Sequence, residues 1–187
     1  RRHFVQSYYE HQGKLWVLRE DAGPLVYTND ALITKLDATN MPCSSSSMPS
    51  VMAIMLEALN IQPGQHVLEI GAGTGYNAAL LRHLVGDHGK VVSIDIDEEL
   101  IQQAQQHLQA AGLDNIHLAT ANGLSGYAPC APYDRLIATA GFWRIPLPWQ
   151  TQLAPDGVVV GNLLGSLTSV LLQLTKQPDG TIIGRLL

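Results

Sequence analysis

Basic residues are scarce in this chain. Its 187 residues include 11 Lys and Arg against 16 Asp and Glu, which gives a formal net charge of −5 at pH 7. The basic residues form no block or stripe along the sequence. Because proteins that bind nucleic acids need clustered Lys and Arg, this charge pattern argues against a nucleic-acid partner. Hydrophobic residues make up 46% of the chain, which is enough for the core of one domain.

Cysteine is nearly absent, and the two that occur, Cys43 and Cys130, lie beside prolines in loop-like sequence. They have no paired spacing and no nearby histidine cluster, which is typical of free thiols in a reducing compartment. We therefore expect a cytoplasmic protein with two free thiols. The alternative is a disulfide between the two cysteines. The seven histidines show no ligand spacing, so the sequence predicts no metal site.

Long hydrophobic runs are also missing. One long stretch without a charge, residues 158–175, contains glycine, asparagine, serine and glutamine. It is too polar for a membrane helix and predicts two buried strands joined by a loop. No signal peptide is visible, although the chain begins at Arg1 without a methionine. We expect no membrane partner, and the sequence leaves the oligomeric state open.

The most informative feature that is present is a glycine-rich turn in residues 67–77, Val-Leu-Glu-Ile-Gly-Ala-Gly-Thr-Gly-Tyr-Asn. An apolar strand runs into Gly71, Gly73 and Gly75, and a helical pattern follows. Glycine removes the side chains that would keep a ligand away from the backbone. The segment therefore predicts a ligand-binding turn, with Glu69 near the end of the strand where the ligand should lie.

Two nucleotide cofactors fit this turn. It satisfies the Gly-x-Gly-x-x-Ala pattern of dinucleotide sites, and Asp95 lies twenty residues beyond Gly75, where an acidic group would hold ribose hydroxyls. Both features suit NAD as well as S-adenosylmethionine. Glu69 favours S-adenosylmethionine. Two unit charges about 4 Å apart interact by roughly 4 kcal/mol at an effective dielectric of ~20, and the Glu69 carboxylate would repel the negatively charged diphosphate of NAD. The amino group of S-adenosylmethionine would be attracted, and the free amides near Tyr76 can receive its carboxylate.

The remaining pattern predicts an α/β fold. Strands alternate with helices after residue 48, which is typical of a doubly wound parallel sheet. Helices are expected to begin at Pro49, at Tyr76 and after Asp97, and a hairpin around Pro178-Asp179-Gly180 should end the chain. The expected parallel strands are residues 66–70, 90–95, 115–120, 135–140 and 157–164. Residues 1–43 show no clear periodicity, so we expect them to be irregular, and the serine run 44–47 has the composition of a flexible linker.

Five segments of the chain are informative in combination: Arg2-His3-Phe4-Val5, Ser45-Ser46-Ser47-Met48-Pro49, residues 67–76, residues 131–136, and Pro148-Trp149 with residues 152–157. Taken in order, they resemble the motifs of protein-L-isoaspartate O-methyltransferases, over most of the chain. The glycine turn alone is typical of methyltransferases in general, whereas the combination is far more specific.

The resemblance implies a class I S-adenosylmethionine-dependent methyltransferase, with a Rossmann-like doubly wound sheet and a C-terminal antiparallel hairpin. Residues 1–48 would form an N-terminal segment with a serine loop, and residues 49–187 the methyltransferase domain. The implied reaction moves a methyl group to an isoaspartyl or aspartyl carboxylate of a peptide or protein and leaves S-adenosylhomocysteine. The implied cofactor-binding residues are Ser45, Ser46, Glu69, Gly71, Gly73, Gly75, Asp95, Ile96, Asn122 and Gly123.

Ser47 matches the family's catalytic serine. Because an ionised carboxylate is already a nucleophile, we assign Ser47 a positioning role; the alternative is a helix cap before Pro49. Asp134 is either a general base or, more simply, a structural carboxylate. Trp143 and Trp149 either line the substrate groove or pack in the core.

Two departures from the family pattern keep other functions open. Ala121-Asn122-Gly123 replaces Gly-Asp-Gly, so the adenine would meet a neutral amide oxygen instead of a carboxylate. Ser45-Ser46 replaces Thr-Ile, and the resulting four serines resemble a branch associated with bacterial peptide maturation. The alternatives to general isoaspartyl methylation are therefore an aspartate methyltransferase dedicated to one precursor peptide and a cofactor-binding module without catalysis. The family also carries a closing segment beyond the position of Leu187.

Overall fold

Two β-sheets contain all the strands of this computed structural model, which describes residues 1–187. The smaller sheet is antiparallel and has the order β2-β1-β3-β4. Its strands are β1 (Tyr8–Gln12), β2 (Leu15–Arg19), β3 (Leu32–Leu36) and β4 (Pro42–Ser46). The expectation that residues 1–43 are irregular is therefore wrong.

The pattern of these strands explains why they escaped prediction. Each has only five residues and, except for Leu32 and Ser46, contains partly buried or exposed positions, so no alternation of apolar and polar residues marks them. The serine run is not a linker, because β4 pairs with β3 through Ser44, Ser45 and Ser46. Pro42 is tolerated because it is the first residue of an edge strand.

The larger sheet has seven strands in the order β11-β10-β9-β8-β5-β6-β7. Strands β5 to β9 pair in parallel, and β10 and β11 add an antiparallel hairpin, as expected. The bounds are β5 (His66–Ile70), β6 (Lys90–Asp95), β7 (Ile116–Thr120), β8 (Tyr133–Phe142), β9 (Leu153–Leu164), β10 (Ser169–Lys176) and β11 (Ile182–Leu186).

Strand β9 begins four residues earlier than predicted. Its first part contains Pro155 and Asp156, which favour a turn, and Asp156 has a left-handed φ of 59°. Between the pairs Tyr133–Leu153 and Arg135–Val158 the register shifts, so the strand passes these residues as a bulge. A turn-forming sequence inside a strand is not recognisable from local composition alone.

Four α-helices accompany the sheets. They are α1 (Pro49–Leu59), α2 (Tyr76–Val85), α3 (Glu98–Ala110) and the unpredicted α4 (Leu147–Gln152). The predicted cap of α3 is confirmed, since the Asp97 carboxylate accepts hydrogen bonds from the N–H groups of Glu99 and Leu100. None of the helices combines the length and apolar character that a bilayer crossing requires.

The core lies on both faces of the larger sheet. Successive residues of β5 belong to opposite faces: Val67 joins one buried cluster, and Leu68 joins the other. A sheet covered on both faces is typical of α/β proteins. Phe4 belongs to the first cluster and its ring centre lies 5.7 Å from that of Tyr76, so the N-terminal segment packs on the start of α2.

Candidate active site

A cavity of about 780 Å³ lies at the carboxyl ends of the parallel strands. Ile70 ends β5 and Gly71 follows it, Ile94 and Asp95 end β6, and the last residues of β8 form a further wall of the cavity. The β3–β4 hairpin of the small sheet contributes a further wall. This edge is where α/β sheets place their ligands, and the volume suits a cofactor together with part of a substrate.

Two of the three predicted glycines form the floor of this cavity. Gly71 and Gly73 line it, and both have left-handed φ angles, of 98° and 50°. A Cβ on Gly71 would lie 2.7 Å from Thr139 Oγ1, so no side chain fits there. Gly75 lies outside the lining, contrary to expectation: a Cβ on it would lie 3.2 Å from that of Ala104, so it permits close packing of the turn on α3.

Asp95 lines the cavity beside the glycine turn. One carboxylate oxygen, Oδ2, accepts the backbone N–H of Gly73 at 3.0 Å, and Oδ1 accepts that of Asp97 at 3.2 Å. A carboxylate has about four acceptor positions, so lone pairs remain for hydroxyl groups of a ligand. The next residue, Ile96, also lines the cavity and is 74% exposed, which presents an apolar surface beside the carboxylate.

Asn122 and Gly123 form the wall after β7, as predicted. The Asn122 side-chain oxygen accepts the N–H of Leu124 at 3.0 Å and caps the short 3-10 helix Gly123–Ser125. One of its lone pairs is therefore committed to the protein, and one remains for a ligand. A Cβ on Gly123 would lie 2.3 Å from Ile70 Cγ2, so the wall requires glycine at this position.

Glu69 does not reach the cavity, which corrects the expectation that its carboxylate meets the ligand. The residue is fully buried and accepts hydrogen bonds from Ser93 Oγ at 2.5 Å and from Asn77 Nδ2 at 2.8 Å. Burial raises the pKa of Glu69 to about 7, although both donors favour the charged form. Its place is behind the glycine turn, where it links β5 to β6 and α2.

The four serines of residues 44–47 do not all face the cavity. Ser44, Ser45 and Ser47 line the cavity, whereas Ser46 is buried outside it, contrary to expectation. The Arg1 guanidinium holds Ser46 from behind: Nε donates to Ser46 Oγ at 3.1 Å, and Nη2 donates to the Ser46 carbonyl at 2.9 Å. Arg1 was not predicted, and Ser44 was not among the predicted cofactor-binding residues. If the run had been recognised as a strand, side-chain alternation would have placed Ser46 on the face opposite to Ser45 and Ser47.

Ser47 lines the cavity, and its hydroxyl makes no hydrogen bond with the protein. The helix-cap alternative for this residue is wrong, because the N-cap of α1 is Met48, which makes no side-chain cap bond. The N–H of Ser50 is instead satisfied by the side-chain oxygen of Asn29 at 2.9 Å. The Ser47 hydroxyl is therefore free to bind a ligand.

The two tryptophans have different roles. Trp149 is buried against Phe142, with ring centres 4.8 Å apart, and its Nε1 donates to the Gly123 carbonyl at 2.7 Å. Trp143 is 70% exposed at the rim of the cavity. Asp134 lies outside the cavity and accepts the N–H of His66 at 2.7 Å, so the structural interpretation of this carboxylate is confirmed. Cys43 and Cys130 are free thiols, as predicted.

Comparison with known proteins identifies the family. The model of Protein-L-isoaspartate(D-aspartate) O-methyltransferase (PCMT) matches residues 18–187. The chain belongs to the protein-L-isoaspartate O-methyltransferase family.

Relatives within this O-methyltransferase family are similar over most of the chain. The chain is 42% identical over 139 residues to the protein-L-isoaspartate O-methyltransferase of Pyrococcus horikoshii, which covers 73% of this chain and 61% of the relative. It is 39% identical over 162 residues to protein-L-isoaspartate O-methyltransferase 2 of Archaeoglobus fulgidus, which covers 85% and 72%. The chain thus spans less than two thirds of the Pyrococcus relative.

Solved structures confirm the expected fold class, that of the S-adenosylmethionine-dependent methyltransferases. A protein-L-isoaspartate O-methyltransferase matches with a TM-score of 0.79 at 31% identity, over 87% of this chain and 51% of that one. A putative protein-L-isoaspartate O-methyltransferase from Plasmodium falciparum matches with a TM-score of 0.69 at 18% identity, over 86% and 77%. The second likeness concerns the fold alone.

Proposed function

We propose that this chain is an S-adenosylmethionine-dependent carboxyl O-methyltransferase that acts on isoaspartyl residues of peptides and proteins. Its family membership supports the reaction. The observation that carries the proposal is the arrangement of one cavity, which is lined by the glycine turn, by Asp95 and by Ser47, whose hydroxyl has no hydrogen bond to the protein.

The residues present fit the cofactor. Left-handed glycines leave the floor open to a close ligand, and Asp95 retains acceptor capacity for ribose hydroxyls. Ile96 provides an apolar surface on which a purine ring can pack, and Gly123 lines the same cavity without a side chain. Asn122 has a free amide N–H₂ group and one free lone pair. The Plasmodium falciparum neighbour is described in complex with S-adenosyl-L-homocysteine. When bound, S-adenosylmethionine supplies an electrophilic methyl group on a positively charged sulfur.

The chain's own residues position the substrate carboxylate. An ionised carboxylate needs no general base, which agrees with the absence of Asp134 from the cavity lining. The Ser47 hydroxyl can donate a hydrogen bond to one carboxylate oxygen and leave the other oxygen to react. Because alignment of two reacting groups can supply roughly 7–11 kcal/mol of a barrier, a positioning serine is sufficient for this role.

The test is methyl transfer from labelled S-adenosylmethionine to matched peptides that differ only in isoaspartyl or aspartyl linkage. We expect transfer to isoaspartyl peptides of several unrelated sequences. Transfer to ordinary aspartate in one sequence alone would instead indicate a dedicated precursor-peptide enzyme. Binding of S-adenosylhomocysteine without transfer to any carboxylate would indicate a cofactor-binding module, and binding of NAD in its place would contradict the cofactor.

A further inference from the structure

Only two charged residues line the cavity, and they have opposite signs. Asp95 lies at the glycine turn, and Arg144 follows β8 at the opposite wall. The Asp95 carboxylate is engaged by two backbone N–H groups. The Arg144 guanidinium is exposed and makes no hydrogen bond or ion pair with the protein. The cavity therefore contains one cation without a partner.

The backbone that carries this cation is anchored on both sides. Phe142 precedes it, is buried against Trp149 and pairs with Leu163 of β9. Pro146 follows and is buried, and Trp149 is tied to the Gly123 carbonyl. Trp143 and Arg144 are thus exposed side chains on an anchored segment at the open end of the site. Such a pair, one aromatic and one cationic, is typical of a recognition surface for a polar chain.

The charge balance of the proposed reaction argues against pairing of Arg144 with the reacting carboxylate. That carboxylate loses its negative charge as the methyl ester forms. An ion pair to it would be stronger in the ground state than in the transition state and would raise the barrier. The unpaired cation is better suited to a second carboxylate that keeps its charge throughout. In a chain of net charge −5, a local cation is also needed to attract an acidic substrate.

We propose that Arg144 and Trp143 form a specificity subsite that selects isoaspartyl peptides with an acidic residue next to the isoaspartyl residue. The inference rests on the proposed function and names the substrate class of the same cavity. Arg144 binds the neighbouring side-chain carboxylate, and Trp143 packs against the adjoining peptide chain. Selectivity then arises in KM, because the contact is the same in the bound substrate and in the transition state.

The experiment compares matched isoaspartyl peptides with Glu or Gln immediately before or after the isoaspartyl residue. For the wild type we expect a preference for a Glu peptide in kcat/KM, and in Arg144→Gln we expect this preference to fall by about threefold to tenfold. The fall should appear in KM and should shrink as salt is added, since salt screens an exposed ion pair. Arg144→Lys should retain part of the preference, and Trp143→Leu should reduce kcat/KM for Glu and Gln peptides alike.

Lys14→Gln is the matched control, because Lys14 is an exposed cation in the turn between β1 and β2, away from the cavity. It should leave the preference unchanged. Equal losses on Glu and Gln peptides in Arg144→Gln would overturn the inference and assign Arg144 to the reacting carboxylate. A weaker affinity for S-adenosylhomocysteine in that variant would assign it to the cofactor. Failure of the wild type to methylate any isoaspartyl peptide would contradict the proposed function itself, whereas equal wild-type activity on Glu and Gln peptides would overturn only this subsite.

Discussion

The Lys35 ammonium group lies 2.5 Å from the Asp97 carboxylate, and this ion pair joins the small sheet to the start of α3. A second carboxylate, that of Glu99, lies 2.7 Å from the same nitrogen. The hydrogen bond to Asp97 raises the pKa of Lys35, and the same contact lowers the pKa of Asp97. Asp97 is two residues beyond Asp95, so the pair holds the β3–β4 hairpin against the cofactor end of the cavity.

Loss of this ion pair should therefore weaken cofactor binding. In Lys35→Met we expect the Kd for S-adenosylhomocysteine to rise several-fold, measured by calorimetry. Because the pair is partly solvent-exposed, added salt should weaken binding in the wild type and have less effect in the variant. Glu99→Gln removes the more exposed partner and should have a smaller effect. An unchanged Kd in Lys35→Met would show that other contacts hold the hairpin.

Asp95 should contribute more to cofactor affinity than Asn122. Asp95→Ala removes a charged acceptor and the support of the Gly73 N–H, so we expect cofactor binding to weaken by about 1.5–3 kcal/mol. Asn122→Ala removes a neutral group and should cost less. Titration calorimetry with S-adenosylhomocysteine measures both. An equal affinity in Asp95→Ala and wild type would place the ribose elsewhere.

Substitution of Ser47 should affect catalysis, whereas substitution of Asn29 should affect stability. Ser47→Ala should lower kcat while the Kd for S-adenosylhomocysteine and the melting temperature stay close to wild type, because the hydroxyl makes no hydrogen bond with the protein. Asn29→Ala removes the side chain that satisfies the Ser50 N–H and should lower the free energy of unfolding by about 1 kcal/mol. If Ser47→Ala lost stability in proportion to activity, its positioning role would be contradicted.

Glu69 should make stability depend on pH. Its pKa in the folded protein is raised from 4.5 to about 7, so its contribution to the free energy of unfolding is fully present below pH 4.5 and is lost as the pH rises through 7. We expect this contribution to fall by about 3 kcal/mol across that interval. Denaturant unfolding at several pH values measures it.

Glu69→Gln is the control for this pH dependence. The Asn77 side-chain oxygen is buried without a partner. After rotation of the Asn77 amide, this oxygen can accept a hydrogen bond from the introduced glutamine amide, as it can from the protonated carboxyl group of Glu69. The variant should therefore fold and lose the decline in stability between pH 4.5 and 7. A decline of the same size in the variant would assign the titration to another group.

The sequence by itself determined the larger sheet, most helix starts and the glycine turn. These features depend on local patterns. Buried parallel strands are rich in apolar residues, and helices repeat their apolar positions every three to four residues. Pro49 and Asp97 are start signals that act on adjacent residues. The cavity's position also follows from topology, because parallel strands end at one edge.

The tertiary structure alone decided which predicted residues face the cavity. Glu69 and Gly71 are two residues apart, yet one is sealed behind the turn and the other lines the site. The pairing of β1 with β3, the hydrogen bonds of Arg1 to Ser46 and the ion pair of Lys35 with Asp97 all depend on residues far apart in the chain. Such contacts leave no local periodicity, because they form only when distant segments of the chain pack together, and this packing gives each side chain its direction.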